Sequence, residues 1–158
     1  MSVEVRTHTA LHVLKGAVVK VLGAEWTASV SVNGSHGRLS VQFDRKPTRE
    51  EISRIEEETN AKIKEDAPTE VHVMGRAEAE ERWGDAIYDL FPLPASITRL
   101  SIFLIPGWNV NACNKEHTER TGEIGALKIA KTRYRASKGL LEISFDIDDN
   151  DLIPVCDF

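Results

Sequence analysis

SVSVNGSHGRLSVQFDRKPTREEISRIEEETNAKI, residues 29–63, changes its period part-way along. From Ser29 to Val32 and from Arg38 to Phe43 apolar residues alternate, Val30 with Val32 and then Leu39, Val41 and Phe43, as on strands with one buried face. Between these runs, Asn33-Gly34-Ser35-His36-Gly37 supplies turn residues, so the pair predicts a hairpin. After Pro47 the spacing becomes helical: Ile52, Ile55, Thr59 and Ile63 share a face, and Thr48 with Glu51 three residues on makes a capping box. A hairpin leading into an amphipathic helix is the local pattern of an α+β fold.

The flanks extend that pattern. Upstream, Arg6 to Leu22 reads as a helix, with Thr7 as cap, Leu11, Leu14, Val18 and Leu22 at helical spacing, and Gly23 as stop. Downstream, Val71–Met74 predicts a short strand and Arg76–Trp83 a helix whose acids face water, with breaks at Gly84 and Pro92-Leu93-Pro94. Arg99–Ile105, Leu127–Tyr134 and Leu140–Ile147 predict further strands, the last two joined by a tight turn at Ser137-Lys138-Gly139. No repeat or linker divides the chain, so residues 1–158 are expected to form a single compact domain, an antiparallel sheet packed with helices.

Composition excludes several classes. Hydrophobic residues at 41% and charged residues at 28% are ordinary for a globular chain, and no apolar run approaches the roughly 18 residues that a bilayer span needs. The first residues, MSVEVRTHTALH, lack the basic patch and apolar core of a secretory signal, which predicts a cytoplasmic protein. Of the two cysteines, Cys156 reads as a plain thiol and Cys113 as a possible ligand, since a reducing compartment disfavours joining them. The net charge of -5 argues against binding nucleic acid through a generally basic surface. Locally the balance reverses: between Cys113 and Gly139, Lys115, Arg120, Lys128, Lys131, Arg133, Arg135 and Lys138 face three acids, and this segment is the expected contact for an RNA backbone.

Chemistry concentrates in two short segments. HTALH puts His8 and His12 four residues apart on one face of the first helix, with Cβ atoms about 5–6 Å apart. CNKEH adds Cys113 and His117 in a turn-rich setting with Gly107, Asn109, Asn111 and Asn114. Alone, the first pair arises often by chance. Together the four side chains are the nitrogen and sulfur donors that zinc accepts. One such ion per chain could polarise an ester carbonyl or activate water, and no serine or cysteine triad competes as a protein nucleophile. Four protein ligands would close a tetrahedron, so three or four remains open, with His117 as the member for a looser role.

Taken together, RTHTALHVLKGAVVKVLG, GRLSVQFD, PTREEISRIEEETNAKI, CNKEHTERTGEIGALKI and KGLLEISFDI resemble a known family over nearly the whole chain. It is the editing domain of alanyl-tRNA synthetase with its free-standing relatives, the AlaX proteins, also related to the threonyl enzyme's editing domain. The chain looks like the shortest, trans-acting AlaX type. The resemblance implies zinc held by His8, His12, Cys113 and His117, and deacylation of tRNA(Ala) mischarged with serine, with the glycine ester as a second substrate. Family members often carry two glycines after the cysteine and an acid two residues before it; here Asn114 and Lys115 follow and Asn111 precedes.

A pocket made for alanine admits glycine and excludes serine poorly, so a second site is needed, and that site rejects alanine if it binds the serine hydroxyl. Candidate contacts are Thr9, Ser29, Gln42, Asp44 and Asn111, which could equally be caps or solvated strand positions. Thr121 and Gly122 in TGEIG could bring backbone donors to the tRNA end, or simply form a turn. Trp26, Trp83 and Trp108 are scattered and read as core or rim residues, only Trp108 lying near the candidate ligands in sequence. Two rival readings are a noncatalytic RNA-binding module stabilised by zinc, and a metallohydrolase of small esters.

Overall fold

The structure, a computed structural model, describes residues 2–148, so Cys156 lies outside the described residues. Helix α1 spans Val3–Leu22, a turn longer than expected. Its cap is Ser2, whose hydroxyl accepts from the Val5 amide, while Thr7 sits inside the helix with its hydroxyl 2.7 Å from the Gly34 carbonyl. The reading of Thr7 as cap fails because a tertiary acceptor claims that hydroxyl. Gly23 ends the helix in the left-handed region at φ 71°, as expected. From Arg6 to Val18 the helix is buried almost all round, including Arg6, Thr7, Thr9 and Lys15, because it touches both sheets and a second helix.

The hairpin forms as β1 (Thr27–Asn33) and β2 (His36–Gln42), with a tighter turn than expected, Gly34-Ser35, whose glycine has φ 60°. Helix α2 (Arg49–Lys64) starts at Thr48 with the capping box intact: the Glu51 amide donates to Thr48 Oγ1 and the Thr48 amide to Glu51 Oε1. Strand β3 (Glu70–Gly75), α3 (Arg76–Trp83) and a 3-10 turn at Gly84–Ile87 follow. Next come β4 (Arg99–Ile105), β5 (Asn109–Ala112), a 3-10 turn at Thr121–Glu123, β6 (Leu127–Arg135) and β7 (Leu140–Ile147). Strand β5 was not legible: NVNA is short and half polar, and it is a strand because it pairs with β4.

The fold is α+β, with its antiparallel strands in two sheets, β1-β2-β7-β6 and β3-β4-β5. The larger core lies between the first sheet and α1 and α2, around Leu14, Leu39, Ile55, Leu141, Ile143 and Phe145; a smaller one forms around Met74, Ile87, Leu100 and Ile102 under α3. Fully burying a side chain of this size contributes about 1.5–3 kcal/mol. Gly16 lets α1 approach the β4–β5 turn closely, since a Cβ there would lie 2.3 Å from the Trp108 Nε1. Among the described residues no helix is long and apolar enough to cross a membrane.

Candidate metal centre

The α1 stripe His8, Leu11, His12 and Lys15 faces the crevice between β1 and the β4–β5 hairpin. His12 projects from the middle of α1, whereas Cys113 and His117 stand on the loop leaving β5. The His117 Nε2 lies 3.1 Å from the His12 Nε2 and 3.5 Å from the Cys113 Sγ. All three donor atoms fall within 4.8 Å of one another, a group that could hold a metal ion. His8, one turn earlier, lies outside this group but lines the same pocket. His117, expected to be the looser member, is therefore the one that bridges the other two.

Neighbouring residues fix these side chains. Phe103 is fully buried on β4, stacked on the His117 ring at 3.8 Å between centroids and tilted against His12 at 4.7 Å. The Asn109 Oδ1 is 3.2 Å from the His12 Nδ1, an arrangement in which Nδ1–H donates and the Nε2 lone pair faces His117 and Cys113. The Thr118 amide donates to Thr9 Oγ1 at 2.8 Å, and the Thr69 hydroxyl donates to the Thr118 carbonyl, tying the loop to α1 and to the segment before β3.

Burial sets the protonation states. It pushes His12 down to about 3 and His117 to about 4, with repulsion between neighbouring histidines adding to the shift, so both imidazoles are neutral near pH 7. His8 is lowered as well, by burial and by the charge of Lys115. The Cys113 thiol is raised by burial and holds its proton until something displaces it. Two nitrogens 3.1 Å apart need a proton between them or a metal ion in its place.

The adjoining pocket has a volume of about 360 Å³. Its polar wall includes Lys15, Thr27, Asp89, Asn109 and Asn111. The buried Lys15 ammonium donates to Thr27 Oγ1 at 2.7 Å, and the Asn111 amide donates to Asp89 Oδ1 at 3.1 Å. Partial burial raises the Asp89 carboxyl, and desolvation lowers Lys15. Lys15 had a legible signal, a charged residue at helical spacing from His8 and His12; Thr27, Asp89 and Phe103 had none.

Of the substrate contacts expected from sequence, Asn111 lines the pocket. Thr9 is fully buried and its hydroxyl serves the Thr118 amide and the Val5 carbonyl. Thr121 accepts from the Ala67 amide and donates to the Lys62 carbonyl, and the Gly122 amide donates to Asp66 Oδ1, so both anchor a turn to the end of α2. Ser29, Gln42 and Asp44 are exposed and do not line the pocket. Lys115 stands at the pocket wall. Arg120 pairs with Asp66 and Arg135 with Glu142. Lys128, Lys131 and Arg133 lie exposed on β6, and Lys138 in the turn after it, at the sheet edge opposite β1. Two to three strand spacings, about 10–14 Å, separate that edge from β2 and β1, which line the pocket with Leu39, Thr27 and Val30.

The chain is 39% identical over 128 residues to an alanine–tRNA ligase of Methanococcus aeolicus, which covers 80% of this chain and 14% of the relative. The chain belongs to the alanyl-tRNA synthetase editing-domain family. Other relatives in this family are the alanine–tRNA ligases of Methanopyrus kandleri, 38% identical over 89% of this chain, and Pyrobaculum neutrophilum, 35% identical over 89%. The chain spans 15% and 16% of their lengths respectively. No family model matches the chain.

Proposed function

We propose that this protein is a zinc-dependent trans-editing hydrolase that removes serine, and as a second substrate glycine, from mischarged tRNA(Ala) while sparing alanyl-tRNA(Ala). The observation that carries the reading is the convergence of His12, Cys113 and His117, two of which, His12 and Cys113, line a pocket of about 360 Å³. Zinc suits the donor set. With bonds of roughly 2.0–2.1 Å to nitrogen and 2.3 Å to sulfur, a tetrahedral site has edges of roughly 3.3 Å between nitrogens and 3.6 Å from nitrogen to sulfur. The separations here are 3.1 and 3.5 Å. Neutral imidazoles are ready to coordinate, and His8 at the rim is the candidate fourth donor. A bound zinc ion would supply Lewis acidity toward the ester carbonyl and toward water.

The chain's own residues account for selectivity. Because Lys15 donates to Thr27 Oγ1, the Thr27 O–H remains available to donate into the pocket, where a serine hydroxyl can accept it. An alanine methyl group leaves that donor unpaired, a loss of the size that lets polar sites discriminate strongly. Asp89 is the one carboxylate among the described residues lining the pocket, and it is placed to receive the α-ammonium of the aminoacyl group. In this reading Lys115 and the basic β6 edge meet the RNA backbone, and the protein works in the cytoplasm.

The test is a deacylation assay on seryl- and alanyl-tRNA(Ala) with the purified chain. Serine release with alanyl-tRNA spared, abolished in His12→Ala and Cys113→Ala, is expected. Equal hydrolysis of the two esters, or full activity in both variants, would overturn the proposal.

A further inference from the structure

Trp26, Trp83 and Trp108 lie far apart in sequence, yet the fold brings all three tryptophans of the chain to one cavity. It has a volume of about 470 Å³ and continues along α1 from the metal pocket, sharing Lys15, Ala86, Asn109 and Val110 with it. The three rings have different freedom. Trp108 is a fixed wall: its Nε1 donates to the Val13 carbonyl at 2.9 Å and the Lys62 ammonium sits 4.8 Å from its ring. Trp83 carries the Arg82 guanidinium at 4.5 Å. Trp26 is half-buried and has no ring, cation or indole hydrogen-bond partner among the described residues.

The charge of the lining narrows the ligand. Two carboxylates, Glu25 and Asp85, stand among the rings against one ammonium, Lys15, which is buried and donates to Thr27, so the balance disfavours a phosphate whereas an exocyclic amine finds acceptors. Flat aromatic walls with carboxylate acceptors suit an amino-bearing nucleobase. In an aminoacyl-tRNA the terminal adenine and the ester are carried on one ribose, so a base seat beside an ester pocket is the arrangement such a substrate requires. We propose that this cavity holds the terminal adenine of the RNA while the aminoacyl ester occupies the metal pocket, an inference that rests on the editing reading. Trp26 supplies the stacking face, Trp83 and Trp108 close the sides, and the carboxylates accept from the adenine N6 amine.

The experiment is a fluorescence-anisotropy titration of the full chain with two 5′-fluorescein-labelled RNA hairpins, identical except that one ends in CCA and the other in CCU. Uracil stacks weakly and turns a carbonyl toward the carboxylates, so about tenfold tighter binding of the CCA hairpin is expected, on the order of one lost stack. Trp26→Ala and Asp85→Asn should each reduce that preference, while Trp26→Phe should retain it. Unchanged binding of the CCU hairpin shows that the variants are folded. No binding, equal binding of both hairpins, or a preference that survives Trp26→Ala would overturn the proposal, and the last two would leave the cavity to a protein contact. A base preference without any deacylation would sink the editing reading and leave the adenine seat standing.

Discussion

His12 draws its properties from residues outside the donor group. The Asn109 carbonyl fixes which ring nitrogen bears hydrogen, and Phe103 fixes the plane of the ring. Asn109→Leu should therefore weaken metal binding about 10–100-fold without removing a donor, a change read by competition against a chromogenic chelator. The same titration separates the two outer histidines: His117→Ala should weaken binding more than His8→Ala, because His117 lies within contact of both other donors and His8 does not. Four ligand candidates could be chosen from sequence because their spacing repeats, i to i+4 in each pair. Which of them sit closest could not, since that depends on where Phe103 and the loop after β5 direct the rings, and neither leaves a periodic trace.

Gly16 makes the element-scale case. On an ordinary helix, Gly→Ala stabilises by about 1 kcal/mol. Here the new methyl would meet the Trp108 indole, which is held by its own hydrogen bond to α1 and cannot swing away freely. Gly16→Ala is expected to destabilise the protein by about 1–3 kcal/mol in urea titrations, the range for overpacking. Helix α3 and strands β4 and β7 fall on their expected bounds because breaks such as Gly84 or alternation mark their ends, and the start of α2 was readable from the capping box of Thr48 and Glu51. The start of α1 was misplaced because Thr7 resembles a cap in sequence and only the fold reveals that its hydroxyl serves Gly34. Division of the strands into two sheets was equally hidden, since alternation says that a strand has a buried face but not which neighbour it pairs with.

At the scale of the molecule, the buried imidazoles couple stability to acidity. In the folded metal-free chain His12 titrates near 3 and His117 near 4, whereas both titrate near 6.5 when unfolded. Above pH 6.5 neither form takes up the protons, so this contribution is fully present; below it the unfolded chain binds them first, and stability falls as pH drops toward 4 and then 3. Thermal melts of metal-free protein should show this decline between pH 6.5 and pH 4. Adding zinc at pH 7 should raise the melting temperature and release a proton from Cys113, detectable with a pH indicator in weak buffer. A metal-free protein equally stable at pH 4.5 and pH 7 would contradict the burial of these rings.

Strand β7 lies between β2 and β6, hydrogen-bonded to both along its length, although it follows every other strand of the described residues. On a ribosome the hairpin emerges first and waits, with the second edge of β2 unsatisfied, until residues 140–147 arrive to fill the gap. Completion of the sheet is thus a late, long-range event, the kind that slows folding and leaves bare strand edges exposed during synthesis. Until that strand arrives, the open edge of β2 is a template on which another chain could pair.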